Sequence, residues 1–305
     1  MGKIQQKTYT IDPMIFVNIA AYRDSELVPT IADLFAKARY PHEINVGLVQ
    51  QTLPGDVTVR HDRVTIMHLD AQRARGPCWA RHMGYKLWSG EAYVLQIDSH
   101  MRFADGWDRL LLDQLAMCPS AKPLLTTYPC GYEPPNRLMS TASCFLAAKA
   151  FSSSGVLSQQ GIIMPPPEKP LPTAFLGAGF LFGPSVWIQE VRYDPLIYFQ
   201  GEEQTLAARL WTNGWDMFGP THCIIWHNYV PKSRPLHWED HSNWGQADIR
   251  SMARVRRILR QDDAQVDVSG FDLGTVRSFD DYQRFAGVDF RARTIAQHAL
   301  DGIFR

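Results

Sequence analysis

Long apolar runs, an excess of either charge and paired cysteines are all missing from this 305-residue chain. No stretch of about 18 apolar residues is present, so no membrane-spanning helix is expected. The 31 basic and 31 acidic residues cancel, which speaks against a nucleic-acid partner, because such proteins carry a basic excess. The five cysteines, Cys78, Cys118, Cys130, Cys144 and Cys223, are scattered, odd in number and form no CxxC pair. That pattern disfavours a zinc site or disulfide frame and favours reduced thiols. The opening residues, MGKIQQKTYTIDP, hold no apolar core of signal-peptide length, and Gln6 stands where an N-myristoylation signal wants Ser or Thr. A cytoplasmic location is the expectation. No internal repeat is visible.

What is present is the pattern of an α/β domain. The chain is 45% hydrophobic, enough to bury a sizeable core. Residues 14–21, 44–50, 64–69 and 92–97 are β-rich apolar runs, and residues 27–38 and 77–88 show helical character, giving the order β-α-β-β-α-β. An open, mostly parallel sheet wrapped by helices follows, with ligands expected beyond the carboxyl ends of its strands. The Pro-rich stretch 164–172 fits neither a helix nor a central strand and reads as an exposed loop across the top of the domain. Residues 175–183, FLGAGFLFG, read as a strand or tight turn. Residues 203–213 and 246–260 read as helices. The last 45 residues are polar and are expected to fold back over the domain. We read 1–244 as the catalytic domain and 245–305 as a helical extension packed on it.

Four places carry chemistry. Asp98-Ser99-His100 follows a buried strand, and in an extended segment Asp98 and His100 point to the same side. A carboxylate beside an imidazole suits a divalent metal; a turn-capping Asp with a surface His is the alternative. His227 ends the apolar run before Asn228 and reads as a third ligand or as a hydrogen-bonded core histidine. Gly201-Glu202-Glu203 precedes a helix, where the macrodipole alone favours carboxylates; the functional reading sets Glu202 at a substrate as anchor or base. In Ala74-Arg75-Gly76-Pro77, a glycine and a proline open a helix whose amides, with Arg75, can face an anion; Arg75 and Arg81 as ordinary solvated arginines are the alternative. The aperiodic stretch 236–244, with His237 and Trp238, reads as a loop that closes over a ligand or as packed surface.

Seven stretches in this order resemble the retaining glycosyltransferases of the GT-A fold: IFVNIAAYRD (15–24), ARGPCWAR (74–81), LQIDSHMRFADGWD (95–108), FLGAGFLFG (175–183), GEEQTLAARLW (201–211), IIWHN (224–228) and LGTVRSFDDYQRFAGVDF (273–290). Among those enzymes the chain is most similar to the polypeptide N-acetylglucosaminyltransferases acting on hydroxyproline of a cytosolic protein, and more distantly to the mucin-type N-acetylgalactosaminyltransferases. The resemblance implies a GT-A-type α/β fold and Mn²⁺ (or Mg²⁺) held by Asp98, His100 and His227. It implies a UDP-sugar donor, UDP-N-acetylglucosamine first, and a protein or glycan acceptor. Glu202 matches a glutamate near the transferred sugar, and Glu203 stands where the family has Asn. Ala20, Tyr22, Arg23 and Asp24 match the nucleotide-facing strand end, with Ser99 beside the metal pair. Arg75 matches a basic residue near the uridine or diphosphate. Gly177, Ala178 and Gly179 match a sugar-facing segment that leaves room for the hexose. Same-face attack without a covalent nucleophile is the implied course. The competing classes are a nucleotidyltransferase, which wants glycines that Ala20 to Asp24 lack, and a sugar-nucleotide binder that has lost catalysis.

Overall fold

The structure, a computed structural model, describes residues 14–230 and 234–305; the N-terminal stretch inspected for targeting signals lies outside the described residues. Four apolar runs build a parallel block: β1 (Ile15–Tyr22), β2 (Ile44–Thr52), β3 (Val64–Asp70) and β4 (Tyr93–Asp98). β1 sits between β2 and β4, with Ala20 opposite Val49 on one side and Asp98 on the other. The crossovers carry α1 (Leu27–Lys37) and α2 (Pro77–Gly84). α1 buries Leu27, Thr30, Ile31 and Leu34, one stripe at i, i+3, i+4 and i+7.

Beyond β4 the chain makes β5 (Met101–Phe103), α3 (Trp107–Ala116), β6 (Pro123–Thr126), β7 (Cys130–Glu133) and β8 (Arg137–Leu138). The antiparallel pair β9 (Ser143–Phe151) and β10 (Leu157–Met164) comes next, then β11 (Leu171–Thr173) and β12 (Phe180–Pro184). There follow α4 (Trp187–Glu190), α5 (Glu202–Thr212), β13 (Asp216–Gly219), β14 (Ile225–His227), α6 (His237–Asp240), α7 (Trp244–Ile258) and α8 (Phe279–Ala286). The main sheet has eight strands in the order β11-β13-β6-β12-β4-β1-β2-β3. β12 runs antiparallel to both β4 and β6, so the sheet is mixed but mostly parallel.

Period-two alternation decides what covers each face. Ile15, Val17 and Ile19 of β1 pack with Leu27, Ile31 and Leu34 of α1 and with Trp107 and Leu111 of α3. Phe16 points the other way, into a cluster with Leu206 and Leu210 of α5, Met252, Val255 and Ile258 of α7, and Tyr282 of α8. The C-terminal segment is richer in core than its polar composition suggests: Tyr282, Phe290 and Phe304 join this cluster, and the Tyr282 hydroxyl donates to Ala174 O at 3.0 Å. α3 and the β9–β10 hairpin were not read from the sequence. At the end of the Pro-rich stretch, residues 171–173 form the edge strand β11, where a proline is tolerated. Among the described residues no helix is long and apolar enough to cross a membrane.

A second, four-stranded sheet, β5-β14-β7-β8, meets the main one where β4 turns into β5. Residues 98–101 make that turn, and His227 of β14 pairs with Met101 of β5. Two strand ends, remote in sequence, are thereby brought to one point.

Candidate metal and substrate site

Asp98 Oδ2, His100 Nε2 and His227 Nε2 converge, with their ligating atoms all within 4.8 Å of one another. His227 Nε2 lies 3.1 Å from Asp98 Oδ2 and 3.0 Å from His100 Nε2. Behind His100, its Nδ1 lies 2.6 Å from Asp24 Oδ2, which also accepts from the Ser99 hydroxyl at 2.7 Å. Burial pushes the Asp24 carboxyl up, but the bonds from His100 and Ser99 hold it below its usual value. An ionised Asp24 can only accept, so Nδ1 of His100 carries the proton and Nε2 presents its lone pair. Burial also works on Asp98 and is outweighed by Arg81 and His227, which keep it well below the ordinary carboxylate range. His227 is held below its usual value by burial. Two imidazole nitrogens and the oxygen of an ionised carboxylate thus meet at one point, a donor set that fits a divalent cation.

Gly179 is required for this arrangement, since a Cβ there would lie 2.6 Å from Asp98 Oδ2. Across from the cluster, the first turn of α5 brings in Glu202 and Glu203. Glu202 Oε1 accepts from Arg81 Nη1 and from the Tyr193 hydroxyl. Arg81 Nη2 donates to Asp98 Oδ1 at 2.5 Å, so one guanidinium spans both carboxylates. Glu203 is fully engaged: its Oε1 accepts from Ala178 N at 2.9 Å, and its Oε2 from the Tyr128 hydroxyl at 2.5 Å and Gln159 Nε2 at 2.8 Å. Burial raises its pKa to about 7, opposed by the bonds from Tyr128 and Ala178. Gln96 Nε2 donates to Ala178 O at 2.7 Å, so residue 178 is pinned from both sides.

Asp98, His100, His227, Arg81, Tyr128 and Gln159 line one cleft of about 740 Å³. Ala20, Tyr22, Asp24, Ser99, Ala178 and Gly179 line it, as do Glu202 and Glu203. Three expected residues sit elsewhere. Arg75 is exposed, its guanidinium 5.8 Å over the Trp79 ring. Arg23 is engaged by Asp56 at 3.2 Å and Asp240 at 2.8 Å. Gly177 leaves room for backbone rather than for a ligand, since a Cβ there would lie 2.3 Å from Thr127 O. Asp24 lines the cleft, yet its side chain is 1% exposed and serves His100. His237 and Trp238 do reach the cleft, but as part of the short helix α6 rather than an open loop. Asp240 of that helix accepts from the Tyr22 hydroxyl at 2.7 Å, and His237 Nδ1 lies 2.6 Å from the Tyr198 hydroxyl.

Sequence reasoning missed Arg81, Tyr128, Gln159 and Tyr193. Arg81 belonged to a stretch already singled out, but nothing local told a buried arginine from a solvated one.

The family model described as Glycosyltransferase (GlcNAc) matches residues 14–58 and 53–292. The chain belongs to this glycosyltransferase family. A curated relative of these enzymes, the putative polypeptide N-acetylgalactosaminyltransferase 13 of Drosophila melanogaster, is 27% identical over 211 residues, covering 62% of this chain and 37% of the relative. Among solved structures, GalNAc-T7 with UDP, GalNAc and Mn²⁺ aligns with a TM-score of 0.60 at 12% identity, over 90% of this chain and 57% of that one. S. aureus TarS 1-349 in complex with UDP-GlcNAc aligns at a TM-score of 0.46 and 12% identity, over 84% of this chain and 68% of that one. The fold of this glycosyltransferase is the GT-A α/β fold. The chain spans well under two thirds of the length of the fly protein and of GalNAc-T7.

Proposed function

We propose that this chain is a metal-dependent retaining glycosyltransferase that moves N-acetylglucosamine from UDP to an acceptor hydroxyl, with hydroxyproline of a protein as the first acceptor to try. One observation carries the reading: three metal-type ligands meet at strand ends in the same cleft as Glu202. The family description names N-acetylglucosamine, and GalNAc-T7 was solved with UDP, an N-acetylhexosamine and Mn²⁺. Two imidazoles in the donor set favour Mn²⁺ over Mg²⁺. The five cysteines are free and buried, as suits a reducing cytoplasm. A glycan or lipid-linked acceptor is the alternative.

Asp98, His100 and His227 would hold the cation, with Asp24 and Ser99 orienting His100. Bound there, a divalent ion supplies charge neutralisation to a departing diphosphate. The chain itself does the rest. Ala20 and Tyr22 form the nucleotide end of the cleft, and Ala178 and Gly179 form its hexose wall. Glu202 orients the sugar and acceptor. His237 and Trp238 cover the opening and exclude water that would hydrolyse the donor.

The deciding assay is UDP release from a panel of sugar nucleotides with and without Mn²⁺. UDP-N-acetylglucosamine should turn over faster than UDP-glucose, UDP-galactose or GDP-mannose, and EDTA should stop it. Turnover indifferent to EDTA, or a preference for GDP- or CMP-linked sugars, would overturn the reading. Glu202→Gln should lower turnover by about 10²–10⁴-fold while UDP affinity changes little.

A further inference from the structure

We propose that Arg81 is a positioning residue that sets the metal carboxylate and the sugar-facing glutamate as one rigid pair. The inference rests on the transferase reading above and adds a role that the sequence does not show.

The residue is 5% exposed and donates to two carboxylates that come from different elements. Nη2 takes Asp98 Oδ1 at the end of β4, and Nη1 takes Glu202 Oε1 at the start of α5. Its backbone is anchored in turn, because Asn18 Nδ2 donates to Arg81 O at 3.0 Å. A guanidinium is planar and permanently charged, so its two terminal nitrogens fix the angle between the groups they bind.

The choice of oxygens gives the fork its meaning. With Oδ1 of Asp98 occupied, only Oδ2 faces His227 and His100, and Asp98 is set as a one-oxygen ligand. On Glu202, Arg81 and Tyr193 both use Oε1, and the residue lines the cleft. The fork thus takes one oxygen from each of two cleft-lining carboxylates, Oδ1 of Asp98 and Oε1 of Glu202.

Stability alone accounts poorly for this arrangement. Buried ion pairs repay their desolvation incompletely, and well-packed apolar residues often replace them without loss. Arg81 Nε is itself buried and has no hydrogen-bond partner among the described residues, a cost that accompanies the fork. A fork whose value is geometric should also resist replacement by lysine, a point charge that serves one partner well and two poorly.

The test uses the full chain as Arg81→Lys and Arg81→Ala. It measures Mn²⁺ affinity without nucleotide from the electron-spin-resonance signal of free Mn²⁺, turnover of UDP-N-acetylglucosamine at saturating Mn²⁺, and melting temperature. Arg81→Lys should melt close to wild type yet lose about 10–100-fold in both Mn²⁺ affinity and kcat, the range for partners that orient metal ligands. At saturating Mn²⁺ its KM should move much less than its kcat. In Arg81→Ala, added methylguanidinium should restore part of both losses. Wild-type Mn²⁺ affinity and kcat in Arg81→Lys would overturn the proposal. So would losses in Arg81→Ala that follow the melting temperature and ignore methylguanidinium. Should Arg81→Ala fail to fold, Arg81→Lys decides. A wild-type protein that neither binds Mn²⁺ nor releases UDP would instead overturn the transferase reading, and the proposal with it.

Discussion

The two walls of the cleft are held in different ways. The wall of Asp98, His100 and His227, the proposed metal wall, is built from strand ends and cross-braced by buried side chains: Asp24 on His100, Arg81 on Asp98, and Gly179 making room for the carboxylate. The covering wall, residues 234–241, hangs on two exposed bonds, Tyr22 and Arg23 to Asp240, and on two part-buried ones, Tyr198 with His237 and His241 Nε2 with Ala71 O at 3.0 Å, while Arg234 Nε lies 4.0 Å from Asp24 Oδ2. The first wall is organised before any ligand arrives. The second rests in part on exposed bonds worth little each, which suits a segment that, under the proposed function, would let a nucleotide in and out.

The contrast is broken most severely at the metal wall. His227→Ala removes a ligand and should cost more Mn²⁺ affinity than Asp24→Asn. Asp24→Asn only frees His100 to turn, and should cost about 10–100-fold. Mn²⁺ titration of both variants with melting temperatures alongside checks the order; equal losses would mean that Asp24 does more than orient.

A smaller effect sharpens the comparison between Glu203 and its neighbours. The Glu203 pKa of about 7 lies above its ordinary 4.5. A group raised on folding stabilises fully below its unfolded pKa and loses that contribution as pH rises through the folded one. From pH 5 to pH 8 the wild type should therefore lose melting temperature relative to Glu203→Gln. Parallel melting curves for the two proteins across that window would show that the carboxyl is not perturbed.

The smallest effect belongs to the covering wall. Asp240→Ala should change stability by less than about 1 kcal/mol. It should speed UDP dissociation by less than about tenfold, the equivalent of roughly 1.4 kcal/mol. Stopped-flow release of UDP measures it. A loss of Mn²⁺ affinity in this variant would show that the walls are not independent.

The parts of this molecule readable from sequence are those whose physics is local. The apolar run 14–21 and the helical spacing from Leu27 to Ala38 place β1 and α1, because both signals are written in adjacent residues. Asp98 and His100 are legible as a pair, being two apart at a strand end. What was not legible depends on partners far away in the chain. Asp24 reads as a nucleotide contact until His100, 76 residues later, is seen on its carboxylate. Arg81 reads as solvated until Glu202 arrives from 121 residues away. The core of the C-terminal segment hides for the same reason: Phe290 and Phe304 find their apolar partners only in the folded chain.

The edge strand β11 bears on how this protein behaves in crowded solution. It is the last strand on its side of the main sheet, and an open edge invites strand addition from another chain. β11 spans three residues, and the middle one, Pro172, has no N–H to offer a newcomer. A short edge with a missing donor makes a poor template for polymerisation. Resistance to strand addition at this edge therefore owes part of its strength to one ring remote from the cleft, and Pro172→Val would exchange it for a residue that welcomes a neighbour.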